Sequence, residues 1–259
     1  MKSYNVKIIS MLILIMFVAL WLSNLCCAKK IYVNTWGGYA TLKMKDANKY
    51  LNELAEESIF SDYISIGKIM DGLIYGIAID YKISNSIGIR KKIEYINCSQ
   101  GVVAGNYRGI LNNSNYVVFK DKLANSLIPI MLGIGINEEK TDLFLSCYIN
   151  SGIALGKSEF SVSGDTNISG VNVLNYSVLY RGAGFISDID AEVKYKIYKN
   201  IFIGFNMGYR ILNILRMKAV EDEPAANVKK GDDLKDSNEN PVEFDFSGMT
   251  LGLSLVFKI

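Results

Sequence analysis

IFIGFNMGYRI, residues 201–211, alternates two kinds of side chain, with Phe202 as the exception. Its odd-numbered positions are all large and apolar, whereas its even-numbered positions include Gly204, Asn206, Gly208 and Arg210. Because successive side chains of a β-strand point to opposite faces, this pattern predicts a strand with one apolar and one polar face. Its length of about 11 residues is enough to cross a bilayer at a tilt, whereas strands of soluble proteins most often have about five or six. The stretch therefore favours a membrane-crossing strand.

Seven further segments show the same alternation, although the facing of the first of them stays open. Together the predicted strands are 31–42, 69–83, 86–98, 126–137, 142–156, 182–197, 200–213 and 243–259. Gaps after the second, fourth and sixth strands are short, and the other gaps are about 25 residues long, as in barrels with short periplasmic turns and long outer loops. The spacing predicts an all-β fold: an eight-stranded antiparallel up-and-down transmembrane β-barrel with periplasmic termini and extracellular long loops.

The first outer loop departs from the strand pattern. Asp46 is a residue type that caps helices, and the apolar residues after it recur at helical spacing. These residues are Ala47, Tyr50, Leu51, Leu54 and Ala55. They predict a short amphipathic helix that lies on the barrel rim, with a partner-binding or lid role as the alternative.

The fourth outer loop, residues 218–241, has seven acidic and four basic residues and almost no large apolar ones. This composition predicts a mobile, solvated segment. Its oxygen-bearing side chains offer calcium ligands as an alternative, but their spacing matches no EF-hand. They are Asp232, Asp233, Asp236, Asn238 and Glu239. No metal site is therefore predicted.

Residues 1–28 have the pattern of a signal peptide, which leaves residues 29–259 as the barrel domain. Lys2 and Lys7 precede an apolar run over 8–22, and small residues precede a cut ahead of Lys29. An uncleaved anchor is one alternative. Lipidation of Cys26 or Cys27 is another, although the residues before each cysteine fit a lipobox poorly. Cys98 and Cys147 would remain in the mature chain, and two unpaired thiols are expected.

The polar faces of four predicted strands carry charges of both signs. The charged positions are Asp80, Arg90, Lys92, Glu94, Asp188, Asp190, Glu192, Lys194 and Arg210. An Arg or Lys facing lipid at mid-membrane would cost about 2–4 kcal/mol, so these residues are expected to face the lumen. Eight strands enclose little more than their own side chains. The pattern therefore predicts a network of salt bridges that plugs the lumen, in preference to a catalytic site.

The chain contains no histidine. Zinc hydrolases, Ser-His-Asp triads and Cys-His pairs all depend on an imidazole, so an enzyme is not predicted, and neither is a cofactor. Without Lys2 and Lys7 the acidic and basic residues are equal in number. Nucleic-acid binding needs a basic surface, and the sequence does not supply one.

Three segments resemble small bacterial outer-membrane β-barrels of the OmpA-like or OmpW-like kind. Asn34 to Tyr39 and Gly204 to Arg210 are similar to the glycine- and aromatic-rich strands of those domains. The pattern Thr250-x-Gly252-x-x-Leu255-x-Phe257 is similar to their C-terminal assembly signal, although this chain continues for two more residues. The resemblance implies a Gram-negative outer-membrane location and recognition by the barrel-assembly machinery during insertion. It does not identify a ligand.

The sequence leaves several functions open. The first is a structural or surface-interaction barrel with a plugged lumen, porin-like in architecture only, in contact with outer-membrane lipid and an extracellular partner through its loops. The second is a narrow channel or carrier for small or hydrophobic solutes. The third is a secreted soluble β-sandwich that binds a ligand. The first is preferred, and a monomer is expected.

Overall fold

The computed structural model describes residues 30–57, 63–108, 116–168 and 175–259. The predictions for the signal peptide, its apolar run and lipidation at Cys26 or Cys27 fall outside these residues. The helix is α1 (Lys45–Glu57), and a short 3₁₀ turn covers Pro224–Ala226. The strands are β1 (Lys30–Thr41), β2 (Tyr63–Gly67), β3 (Asp71–Lys82), β4 (Ile87–Cys98), β5 (Gly101–Arg108), β6 (Tyr116–Lys140), β7 (Leu143–Thr166), β8 (Tyr176–Tyr198), β9 (Ile201–Ile214), β10 (Lys218–Ala219), β11 (Phe244–Asp245) and β12 (Gly248–Lys258).

Eight of these strands form a closed antiparallel ring in the order β1, β3, β4, β6, β7, β8, β9 and β12. The ring closes because β12 pairs with both β9 and β1. The predicted eight-stranded antiparallel barrel is confirmed, and the β-sandwich alternative is wrong because one ring replaces two facing sheets. We call the end with the short turns 83–86, 141–142 and 199–200 the inner end, and the opposite end the outer end.

Three strands run farther toward the outer end than predicted. β6, β7 and β8 reach Tyr116, Thr166 and Tyr176, whereas the prediction ended them at 126, 156 and 182. β5 pairs with β6, and β2 pairs with β5, so the wall continues beyond the barrel as a sheet. The expected long loops after the third and fifth predicted strands are therefore largely strand. The sequence hid this extension because many of its outward-facing residues are polar, as in 157–166 of β7, while backbone pairing needs no apolar face.

Outward-facing side chains of the barrel form an apolar belt. We define the belt as the outward positions of 31–39, 73–83, 87–95, 128–136, 143–155, 185–197, 201–211 and 249–257. Phe185, Ile211 and Leu253 in this belt are 69%, 62% and 65% exposed. Lys91 stands on the same face of β4 as the belt residues but is buried, and its ammonium lies 5.0 Å from the ring centroid of Tyr81, which is also buried.

The predicted helix is confirmed as α1, and its apolar side chains pack over the outer opening of the lumen. Ala47, Leu51 and Ala55 are buried, in one cluster with Phe244 and Phe246. The prediction misplaced the helix start, because α1 begins at Lys45 and Asp46 lies in its first turn. No helix among the described residues is long and apolar enough to cross a membrane.

The fourth outer loop is folded back onto the barrel, which differs from the mobile segment predicted. β10 pairs with β8, and Lys235 forms a bridge with Pro241. Leu234 is buried in the same cluster as α1. The backbone amide of Ser237 donates to Glu53 of α1 at 3.3 Å. A few apolar contacts and a helix distant in sequence thus order a segment whose composition alone indicates disorder.

Candidate functional site: a charge network inside the barrel

The nine charged positions predicted to face the lumen all lie inside the barrel and are buried. Strand pairing sets them at neighbouring heights: Asp80 lies opposite Arg90 between β3 and β4, and Asp188 lies opposite Arg210 between β8 and β9. The alternation that turns apolar residues outward turns these residues inward. Salt bridges then connect all nine across the lumen, as four cations and five carboxylates.

Arg90 is the centre of one part of the network. Its guanidinium donates two hydrogen bonds of 2.7 Å to Asp80 and two of 2.7 and 2.8 Å to Glu192. The Lys194 ammonium lies 2.6 Å from Glu192 and 3.4 Å from Asp80. The ring of Tyr148 covers the guanidinium, with its centroid 3.9 Å from Cζ. Bidentate pairs of this kind have the geometry that a planar guanidinium and a carboxylate prefer.

Lys92 is the centre of the other part. Its ammonium lies 2.8 Å from Asp188, 2.6 Å from Asp190 and 3.1 Å from Glu94. Glu94 also accepts a hydrogen bond from Arg210. Arg90 and Asp190 join the two parts at 3.6 Å. Each carboxylate of the network therefore contacts at least one cation, which is the condition for keeping ionised groups away from water.

Neutral side chains donate to three carboxylates of the network. Asn150 donates to Asp188 at 2.6 Å and to Asp190 at 3.0 Å. Ser146 donates to Glu192 at 3.2 Å, and so does Asn34 at 3.3 Å. The sequence analysis missed these three partners. Ser146 and Asn150 stand on the polar face of an alternating strand, so the signal was present, whereas Asn34 lies on β1, whose facing the sequence left open.

The inner opening of the barrel is covered by an aromatic layer. Tyr32 packs against Phe144 and Phe202, with ring centroids 5.2 and 6.3 Å apart, and Val256 belongs to the same cluster. The four residues come from four strands of the ring. No charge marks these positions, so sequence reasoning gave no reason to group them.

A second polar cluster, also missed, lies at the inner rim beyond the belt. Glu139 at the end of β6 meets the ammonium groups of Lys30, Lys82 and Lys258 at 2.8, 3.2 and 2.9 Å. Partial burial alone would raise the pKa of Glu139, but hydrogen bonds from the three lysines outweigh it and hold the pKa at about 2. The cluster joins four strands, because β1, β3, β6 and β12 each contribute one residue.

The residues of the C-terminal pattern divide between the two faces of β12. Thr250 and Gly252 face inward, and a Cβ on Gly252 would lie 2.9 Å from the side chain of Asn206. Leu255 and Phe257 face outward in the belt. Their arrangement is that of an ordinary barrel strand, and their role as an assembly signal stays a prediction.

The side chains of the network are poorly placed to contact a substrate. Its carboxylates are occupied by cations, and the lumen around them is filled by Tyr148 and Trp36, whose ring lies 5.5 Å from Lys92. Cys98 and Cys147 are free thiols. Among the described residues no group of three or more Cys, Asp or Glu side chains is arranged to hold a metal ion.

Comparisons with known proteins found similar folds at low similarity. The attachment invasion locus protein Ail of Yersinia pestis is 12% identical, with a TM-score of 0.40, over 89% of this chain and 98% of Ail. Outer-membrane protease OmpT of Escherichia coli is 8% identical, with a TM-score of 0.40, over 90% of this chain and 97% of OmpT. Outer-membrane protein OprG of Pseudomonas aeruginosa is 9% identical, with a TM-score of 0.38, over 90% and 97%. A scan against protein-family models and a search of curated proteins found no match. These values do not assign the chain to a family.

Proposed function

We propose that this chain is a non-enzymatic outer-membrane β-barrel with a structural or surface-interaction role and a closed lumen. One observation carries the proposal: the lumen is filled at three successive levels. The aromatic layer fills the inner end, the charge network fills the middle, and the buried cluster under α1 fills the outer end. A path for a solute would have to break all three.

The belt supports the membrane location. Each of the eight ring strands contributes large, exposed apolar side chains to it. Exposed apolar surface on this scale marks contact with another apolar phase, and a closed barrel leaves no unpaired strand edge within the bilayer. The length of the alternating segments matches the hydrocarbon core.

The two ends support an orientation. Short turns characterise the periplasmic side of such barrels, and the longer connections characterise the outside. In this chain the outer end carries α1, the folded fourth loop and the extension of β5 to β8. We therefore place these elements outside the cell, where they form the surface available to an extracellular partner.

Catalysis is not part of the proposal. The chain has no histidine, and the buried carboxylates of the lumen are paired with cations. A general acid or base must be able to change its protonation state next to a substrate, which these pairs and the filled lumen oppose.

Conductance in a planar bilayer tests the closed lumen. We expect the purified protein to give no sustained openings. The narrow-channel alternative instead predicts persistent openings whose ion selectivity changes in Asp188→Asn or Arg210→Gln. Lys157→Gln is the matched control, because Lys157 is exposed on the outer extension and lies outside the lumen. Openings that respond to the lumen variants and not to the control would refute closure.

Location and orientation need separate tests. A folded barrel should migrate differently on a gel before and after it is boiled in detergent, and it should fractionate with outer membranes.

Orientation is tested by cysteine labelling. Lys235→Cys on the fourth loop and Asn85→Cys in an inner turn are compared in a Cys98→Ser, Cys147→Ser background. Intact cells treated with a membrane-impermeant maleimide should label the first and spare the second. The reverse pattern would invert the proposed orientation.

A further inference from the structure

A cleft at the outer end is separate from the lumen network. It has a volume of about 570 Å³ and lies between α1, the extensions of β7 and β8, and the fourth loop. Its lining includes Tyr50, Phe160, Tyr176, Tyr180, Asp232 and Asp233. A volume of this size is that of sites that accept small molecules. No residue of the nine-membered network lines it.

One wall of the cleft is aromatic. The rings of Tyr50 and Phe160 meet edge to face with centroids 5.9 Å apart, and Phe160 and Tyr176 are 6.4 Å apart. Phe160 and Tyr180 are largely buried, whereas Tyr176 is only partly covered. The wall is therefore fixed by its buried rings, and Tyr176 is the ring of the wall that is partly accessible. Aromatic faces attract cations as well as flat apolar groups.

The lining also includes two acidic residues, Asp232 and Asp233. Oδ1 of Asp233 is buried and accepts no hydrogen bond from any described residue. The nearest cation is Arg216, whose Nη1 lies 3.9 Å from Oδ2 and whose side chain is 65% exposed. Asp232 also lines the cleft, and one of its oxygens accepts from the backbone amide of Lys229 at 2.9 Å. A carboxylate with one oxygen that lacks a donor is costly to bury, and a cation beside the exposed part of the carboxylate would offset some of that cost.

Further acidic groups surround the aromatic wall. Burial raises the pKa of Tyr176, and the nearby carboxylates of Asp121 and Glu223 raise it further. Asp121 lies two strands away on the same inward-facing row as Tyr176. Lys235 is the basic residue in the lining, and it is exposed. The Lys218 ammonium also lies at the edge of the cleft, where it donates to the carbonyl of Gly231 at 3.3 Å. The lining itself has two carboxylates and one basic residue, and this excess of negative charge favours a positive ligand.

We propose that this cleft binds a small organic cation that combines an ammonium group with a flat apolar body. The ammonium group pairs with the carboxylate of Asp233, whose side chain is 16% exposed, and the apolar body lies against Tyr176, the partly exposed ring of the aromatic wall. A neutral sugar would use the aromatic wall but not the charge, and an anion would be repelled. The proposal therefore predicts that an organic cation binds most tightly, a neutral sugar more weakly and an anion most weakly.

The test uses the full-length mature protein in detergent micelles, so that its result is independent of orientation in the membrane. 2-Phenylethylamine is titrated by saturation-transfer NMR against three matched probes: 2-phenylethanol, 3-phenylpropionate and methyl glucoside. We expect saturable binding of the amine with a Kd of about 1 mM, as for a fragment of this size, and at least tenfold weaker binding of the other three. Equal binding of the alcohol, preference for the glucoside or the propionate, or no saturable amine binding would each overturn the proposal.

Two variants with opposite expected effects identify the carboxylate. Asp233→Asn should weaken amine binding about tenfold, the effect of losing one charge-assisted hydrogen bond. Arg216→Gln should strengthen it, because it removes the cation nearest to Asp233. Glu221→Gln, an exposed carboxylate of the same loop outside the lining, should leave it unchanged. If Asp233→Asn fails to show the gel shift of a folded barrel, Arg216→Gln decides alone, and unchanged or weaker binding there would refute the role of Asp233.

Discussion

The middle and the outer part of the lumen are filled by opposite chemistries on the same strands. In the middle, β4 turns Arg90 and Lys92 inward, and each meets specific carboxylates. Farther out, the same strand turns Ile96 inward, into the apolar cluster beneath α1. Salt bridges depend on direction and partner, whereas apolar packing depends on volume. The comparison predicts that loss of a single charged partner in the middle lowers the free energy of unfolding sharply. In the outer part, the loss of unfolding free energy should grow with the side-chain volume removed.

The largest effect is expected from Arg90→Met. The variant leaves Asp80 and Glu192 without the guanidinium that pairs with both, and breaking a buried pair on one side costs about 3–5 kcal/mol. The free energy of unfolding, measured by urea titration in micelles, should fall accordingly. Arg181→Met on the exposed outer extension of β8 is the control. An unfolding midpoint equal to that of the control would remove the distinction between the two regions.

Leu51→Ala tests the outer part and should have the next largest effect. Leu51 is fully buried on α1, and its truncation should cost about 2–4 kcal/mol, from lost burial and the cavity left behind. Leu54→Ala on the same helix should cost less, because Leu54 is only partly buried. The same urea titration ranks all three variants. If Leu51→Ala proves more harmful than Arg90→Met, apolar packing rather than charge pairing dominates the interior.

Glu139→Gln extends the comparison to the partly solvated inner rim. The variant removes the carboxylate that three neighbouring lysines share. The free energy of unfolding should fall by about 1 kcal/mol, because the cluster is partly exposed to solvent. Because the pKa of Glu139 is lowered from 4.5 to about 2, its contribution is present above pH 4.5 and is lost as pH falls toward 2. The variant should lack this part of the pH dependence. Glu138→Gln, in an exposed pair with Lys140, should behave like the wild type.

Asp121→Asn should have the smallest effect and the opposite sign. Burial raises the pKa of Asp121 from 3.8 to about 6, so the folded state binds a proton more tightly than the unfolded state. Stability therefore increases as pH falls from about 6 toward 3.8, and at neutral pH the ionised carboxylate opposes folding. The variant should be slightly more stable than the wild type at pH 7.5 and should lose that pH dependence. Glu56→Gln, exposed on α1, is the control, and destabilisation by Asp121→Asn would contradict the assignment.

The sequence predicted the features that period-two alternation encodes, which are the long strands and the side of each strand that faces the lumen. Arg90, Glu192 and Arg210 stand on polar faces of long alternating segments, so their inward direction followed from position alone. Their partners across the lumen did not follow, because pairing depends on the register of strands distant in sequence. Asn34 shows the same limit, since Gly and Thr neighbours on β1 blur the contrast between its faces.

The outer end shows a second limit. The strand extension of Lys157 to Thr166 lacks an apolar outward face, and the order of the fourth loop depends on Leu234 reaching α1. Glu139 was passed over because a single acid at the end of a strand resembles any solvated turn residue, and its three lysines come from other strands. These features arise from tertiary contacts, which no local pattern records.

The division of the network between hairpins bears on how the barrel is built. The β3–β4 hairpin holds two of the network carboxylates and two of its cations, and Asp80 and Arg90 are only ten positions apart. Such a hairpin can neutralise most of its own charge from nearby partners before the ring exists, whereas the contacts of Arg90 with Glu192 span 102 positions. Nearby pairs form early and distant ones late, because closing a long loop costs more chain entropy. The β3–β4 hairpin therefore contributes a charge-balanced share of the network by itself, and ring closure adds the carboxylates of β8 to pairs that the hairpin already holds.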